Sequence, residues 1–180
     1  MLSLPIVANS TVIMIDNTDT GFSSVGFIES LYTGTTRPSI GGTYMVDQAG
    51  TQGDYAIWDP TNSADWVAGI WQVEMNWTAW SNRASAALLT IGSGLDTLFI
   101  NQTINGGNWQ DLGNYSFGTS GSYVKMDDSN SSRGKYLVAD AVRFTLISAE
   151  PTIVSAVSAP ACIALLGFGA FGLLRLRRSK

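Results

Sequence analysis

The chain has 180 residues with fourteen acids, ten cations, no histidine and one cysteine, a length that holds one ordinary domain with a real core. Zinc fingers, Ser-His-Asp triads and Cys-His dyads are excluded by the missing histidine, and a lone Cys162 makes no intrachain disulfide. Six cations against fourteen acids give residues 1–174 a formal charge of −8, which disfavours a nucleic-acid partner, and nineteen glycines with six tryptophans and six tyrosines favour strands and turns, so the expected class is all-β.

The opening MLSLPIVANS has no basic residue and only a short apolar stretch. With Ala8 and Ser10 as small residues, residues 1–10 read as the remnant of a truncated export signal; from Asn9 onward they read equally well as the lead-in to a first strand. Alternation and turn residues then predict ten strands: Thr11–Asp16, Gly26–Thr33, Thr43–Asp47, Tyr55–Asp59, Gly69–Trp77, Ala87–Gly92, Thr97–Thr103, Gly113–Gly118, Ser122–Asp127 and Asp140–Ile147. Between them lie turn-forming stretches such as NTDTG, DPTNSAD, INGGN and DDSNSSRG. Such spacing is that of a β-sandwich or jelly roll over residues 11–148. In Gly69–Trp77 one parity holds Trp71, Val73, Met75 and Trp77 and the other Gln72, Glu74 and Asn76, so one face is core and the other wet. Asp140–Ile147 repeats the pattern, with Val142, Phe144 and Leu146 on its apolar face.

Residues 149–157 read as a linker, and 158–180 as a tail with an uncharged apolar run, Ala161–Leu174, followed by Arg175, Arg177, Arg178 and Lys180. A membrane-spanning helix needs about 20 apolar residues, which Ala159–Leu176 nearly supplies if Arg175 snorkels. A buried C-terminal helix and a permanent anchor are the other readings; in both membrane readings the cations stay cytoplasmic.

Two family resemblances follow from these residues. The body presents, in order, IDNTDTGFSSVGF, YAIWDP, WQVEMNWTAWSNRASAALLTI, NQTINGGNWQDLGNYSF and KYLVADAVRFTLI. This is similar to the golvesin-like, xanthan-lyase carbohydrate-binding-type domain over Val12–Leu146, with Asn82 and Arg83, Gly107 and Trp109, and Ala139–Phe144 at its landmarks. The resemblance implies a single jelly-roll β-sandwich, an appendage of secreted bacterial proteins associated with polysaccharide. The tail resembles a PEP-CTERM sorting signal of VSAP type: Ser158, Ala159 and Pro160 stand where the tripeptide stands, although Pro-Glu-Pro itself is absent. It implies recognition and cutting by an exosortase-type protease, so that a membrane-anchored precursor reaches the cell surface or the extracellular matrix.

A sugar-binding sandwich needs exposed aromatic faces for pyranose rings beside amides and carboxylates for hydroxyls. Candidate contacts are Trp80 and Asn82, Trp66, and Trp109 with Asp111; each tryptophan alternatively caps an open end of the sandwich. Arg83 and Asp140 are expected to be structural, either as a buried pair or as partners of loop carbonyls. No metal site is assigned: Asp16, Asp19, Asp127 and Asp128 offer hard oxygens for calcium but lack EF-hand spacing. No cofactor or catalytic residue is assigned, and the chain is read as a non-catalytic polysaccharide binder. The alternative is a matrix subunit that self-associates through edge strands without recognising a glycan.

Overall fold

A computed structural model describes residues 10–30, 38–48, 50, 53–92, 96–129 and 135–150. Most of the N-terminal remnant, the linker from Pro151, the sorting motif, the apolar segment and the basic end lie outside the described residues. Among those described, twelve strands form: β1 (Val12–Ile15), β2 (Phe22–Val25), β3 (Ile28–Glu29), β4 (Met45–Gln48), β5 (Tyr55–Trp58), β6 (Gly69–Asn76), β7 (Ala87–Ile91), β8 (Asp96–Ile100), β9 (Gln110–Phe117), β10 (Val124–Asp127), β11 (Tyr136–Ala139) and β12 (Ala141–Ala149). The class is all-β, as expected.

The strands build three antiparallel sheets, ordered β1-β12-β6-β9, β2-β5-β10-β7-β8 and β11-β4-β3. Only β3–β4 and β7–β8 pair with their neighbour in sequence; elsewhere the chain passes from sheet to sheet, as in sandwich and jelly-roll folds. The apolar parity of each main strand faces one core. Trp71, Val73 and Met75 of β6 and Val142 and Phe144 of β12 share a buried cluster with Ala56 and Trp58 of β5, Leu89 of β7 and Met126 of β10. Trp58 locks this core to the chain reversal before β12 by donating its indole N–H to the Asp140 carbonyl at 3.2 Å.

Several boundaries differ from the expectation, each for a local reason. Residues Gly26–Thr33 do not form one strand: Gly26 has φ 78°, so the backbone turns and β3 holds only Ile28 and Glu29 among the described residues. β9 starts at Gln110, three residues earlier than predicted, across an irregularity in its pairing with β6. β12 continues to Ala149, and the Glu150 N–H donates to the Ala68 carbonyl, so the folded body passes the expected boundary at 148. Asn76, expected on the wet face, is buried.

Candidate functional site

The solvent-facing side of the four-stranded sheet is built by strand register. Met14 lies opposite Arg143, Arg143 opposite Glu74, and Glu74 opposite Asp111, one residue from each of the four strands. The next row is Val12, Thr145, Gln72 and Asn114. These positions share the parity that leaves Ile13, Ile15, Trp71, Val73, Val142 and Phe144 in the core. Thus the same alternation that makes the core also lays out a plate of two carboxylates, two amides, a guanidinium and a hydroxyl, bordered by exposed Val12 and Met14.

Arg143 organises the plate. Its Nη2 and Nε reach the same Glu74 oxygen, Oε2, at 2.7 and 2.8 Å. Its guanidinium carbon also lies 4.5 Å from the centre of the Trp109 ring, a cation–π contact that fixes the indole at the margin of the plate. Trp109 immediately precedes β9, where pairing shifts between Val73 and Glu74 so that Leu112 is extra. Gly113 sits in this bulge at φ 117°, and its N–H donates to Asp111 Oδ1 at 3.0 Å. The bulge therefore holds Asp111 exposed beside Glu74.

The loop before Trp109 is pressed against the loop that carries Trp80 and Asn82. The Gly107 N–H donates to the Trp77 carbonyl at 2.9 Å, and Gly106 packs so close to the Ala79 backbone that no side chain fits there. Trp80 is 44% exposed and Asn82 is exposed, while the Asn82 carbonyl accepts the Tyr136 N–H. Trp66 behaves differently: it is 8% exposed, stacks on Trp71 at 4.4 Å, and donates its indole N–H to the Gly118 carbonyl. The exposed, loop-borne face expected of Trp66 is therefore corrected to a core position, because three further aromatic rings, Trp71, Phe117 and Phe144, surround it.

The two structural polar residues are both buried but take separate partners. Arg83 Nη2 donates to Tyr44 Oη at 3.3 Å and lies over the Tyr44 and Tyr136 rings. Asp140 instead accepts the Ile40 N–H, at 3.1 and 3.3 Å to its two oxygens. Burial, with Asp16 nearby, pushes the Asp140 carboxyl up to about 8. The acids weighed for calcium are not gathered into one group: Asp19 accepts the Asp16 N–H, whereas Asp127 meets Lys125 and Ser129.

A groove of about 300 Å³ shares Met14 with the border of the plate and is otherwise lined by Ile13, Asp19, Asp59, Pro60 and Asn62 among others. Its lining has no aromatic ring, and its carboxylates are engaged by local turns: Asp59 Oδ1 accepts from the Thr61 N–H and Oγ1, and Asp19 from Asp16. The plate beside Trp109, by contrast, joins an aromatic ring to exposed polar side chains. Of the residues expected from sequence, the structure brings Trp109 and Asp111 to it, carries Trp80 and Asn82 on the adjoining loop, and withdraws Trp66. Sequence reasoning missed Glu74, Gln72, Asn114, Arg143 and Thr145, although the wet parity of the two long strands already contained most of them.

Comparison with known proteins agrees with this architecture. The family model described as the Golvesin C-terminal domain matches residues 13–146. A xanthan lyase of Bacillus sp. (strain GL1) is 31% identical over 140 residues, covering 75% of this chain. The solved Paenibacillus xanthan lyase superposes with a TM-score of 0.61 at 32% identity over 77% of the chain. A Podospora anserina GH26-CBM35 β-(1,4)-mannanase shares the fold, with a TM-score of 0.54 at 10% identity over 78% of the chain and 29% of its own. The match spans only 15% of the Bacillus enzyme and 13% of the Paenibacillus enzyme. The chain belongs to the Golvesin C-terminal domain family.

Proposed function

We propose that this protein is a non-catalytic polysaccharide-binding module that works outside the cell. The observation that carries the reading is the plate in which Arg143 holds both Glu74 and the Trp109 ring, with Asp111, Gln72 and Asn114 alongside. It joins an aromatic surface to hydrogen-bonding groups of both signs, the combination that pyranose rings require. Relatives of the same family named for xanthan support a polysaccharide as the ligand class. Export and sorting rest on the sequence: Ser158, Ala159 and Pro160 as the recognition motif, the apolar run as the span, and Arg175, Arg177, Arg178 and Lys180 as the cytoplasmic stop for an exosortase-type protease.

The test is gel retardation and tryptophan fluorescence with the host's own extracellular polysaccharide and with xanthan. Trp109→Ala and Glu74→Gln should each weaken binding at least about tenfold, near 1.4 kcal/mol, while unfolding midpoints stay within a few degrees of the parent. Unchanged affinity in both variants would place the ligand elsewhere. No binding at all, together with concentration-dependent assembly, would support the matrix-subunit reading instead.

A further inference from the structure

Asp47 is the last residue but one of β4, Asp54 precedes β5, and Asp128 follows β10. They are distant in sequence, yet one carboxylate oxygen of each lies within 4.8 Å of the others. The strands explain the meeting. β5 and β10 pair with Tyr55 opposite Asp127, which sets Asp54 beside Asp128, and the Asp128 N–H donates to the Asp54 carbonyl at 3.2 Å. Asp47 comes from a different sheet, the one ordered β11-β4-β3.

A cluster of acids alone says little, since carboxylates often crowd without a ligand. Here a second feature points to one. Asp47 is only 5% exposed, and its Oδ2 is buried with no hydrogen-bond partner among the described residues. Leaving such an oxygen unsatisfied is costly, because a buried charge needs a partner. Its carboxylate meets two more acids, Asp54 and Asp128, which repel it and of which Asp54 stands within hydrogen-bonding reach, and the Gln48 backbone amide, which favours its charge. The same crowding, with burial as the larger cause, pushes the Asp47 carboxyl up to about 6. Room for the cluster is also built into the backbone. Gly26 lies so close to the Asp54 carboxylate that a Cβ there would collide with it, and the Gly53 N–H donates to Asp128 Oδ1 at 3.0 Å, orienting that side chain.

We propose that Asp47, Asp54 and Asp128 bind a calcium ion, which clamps the end of β4 to the β5–β10 end of the five-stranded sheet. The donor set is all oxygen and anionic, the preference of a hard divalent cation. Oxygens sharing one calcium at about 2.3–2.6 Å stand at most about 5 Å apart, and the three oxygens here lie within 4.8 Å of one another. Magnesium holds its ligands in a stricter octahedron at about 2.0–2.1 Å and gives up its waters reluctantly, so the flexible shell of calcium suits three carboxylates from separate strands better. The three carboxylates supply part of calcium's shell of about six to eight oxygens, and water or backbone carbonyls complete it. The ion replaces mutual repulsion with attraction at the buried Asp47 carboxylate. This site is independent of the glycan plate: either proposal can fail alone.

The test uses the full chain, stripped with chelator and then titrated with calcium chloride. Thermal unfolding is followed alongside terbium luminescence excited through the protein's aromatic residues. Calcium should raise the unfolding midpoint by several degrees, and terbium should give a luminescence that calcium displaces. Asp47→Asn should be at least as stable as the parent in chelator, since it removes one repelling charge, yet lose the calcium response. Asp54→Asn should lose the response as well, whereas Asp65→Asn, at an exposed site, should retain it. If Asp47→Asn does not fold, displaceable terbium luminescence in the parent and its loss in Asp54→Asn decide the matter. The proposal is overturned by an absent shift at millimolar calcium, the weak end of known sites, by a response that survives in Asp47→Asn and Asp54→Asn, or by a magnesium response equal to that of calcium.

Discussion

Asp140 is fully buried, accepts the Ile40 amide and has Asp16 as a neighbouring acid. Its carboxyl is raised from 3.8 to about 8 by burial first and by Asp16 second. The folded state therefore keeps its proton over a range in which the unfolded chain has lost it. Stability should fall as pH rises from about 4 to about 8 and level off above that. Asp140→Asn retains an oxygen for the Ile40 N–H and removes the charge. In calcium-free buffer its unfolding midpoint should match the parent's near pH 4 and exceed it near pH 9. The slope that remains belongs to Asp16 and Asp47, both also raised. At this scale the sequence is a partial guide. It marks Asp140 as polar and structural, and it singles out Trp109 and Asp111, which the structure places at the plate, because loop chemistry is local. It does not distinguish Trp66 from Trp109, since both are loop tryptophans and only the packing of Trp71, Phe117 and Phe144 around one of them decides.

The turn after β8 is joined to β11 by a side chain acting as backbone. Gln102 is fully buried; its Nε2 donates to the Val138 carbonyl at 2.7 Å, and its Oε1 accepts the Val138 N–H at 3.0 Å. That pair of bonds imitates one rung of a sheet ladder where no strand reaches. Gln102→Leu keeps the bulk but leaves both Val138 groups without these partners, and should cost about 2–4 kcal/mol, measurable by urea unfolding. The sequence predicts a strand through Thr103 and hides this device. β11 was equally hard to read: Leu137, Val138 and Ala139 are all buried, so the run lacks the alternation that marks a one-sided strand. β2, FSSV, hides for the opposite reason, because its serines give no apolar stripe. The long strands β6 and β12 were legible, since each has one core face and one wet face over eight and nine residues.

Charge acts on the molecule as a whole. Residues 1–174 carry −8, and within that sum the plate contributes Glu74 and Asp111 against Arg143. An acidic polysaccharide would approach against this field and a neutral one would not. Retardation by an acidic polymer should therefore strengthen as ionic strength rises toward physiological values, where fields are screened beyond about 8 Å, while retardation by a neutral polymer should hardly change. The β-class, the family and the wet faces of the two central strands are all legible in composition, landmarks and parity. The acid cluster at Asp47 is not, because its three members meet only after two sheets have been assembled.

Finally, β1 and β12 run antiparallel with Val12 opposite Thr145, and the Thr11 carbonyl accepts the Leu146 N–H. The flank entering β1 and the flank leaving β12 thus lie at one end of the folded body. A pull between these flanks would peel the ladder open one rung at a time rather than shear its rungs together, so this seam is the mechanical fuse of the domain. Held by one flank only, the body bears no such load on β1. The β1–β12 seam is thus exposed to tension between the two flanks and spared by a load carried through one of them.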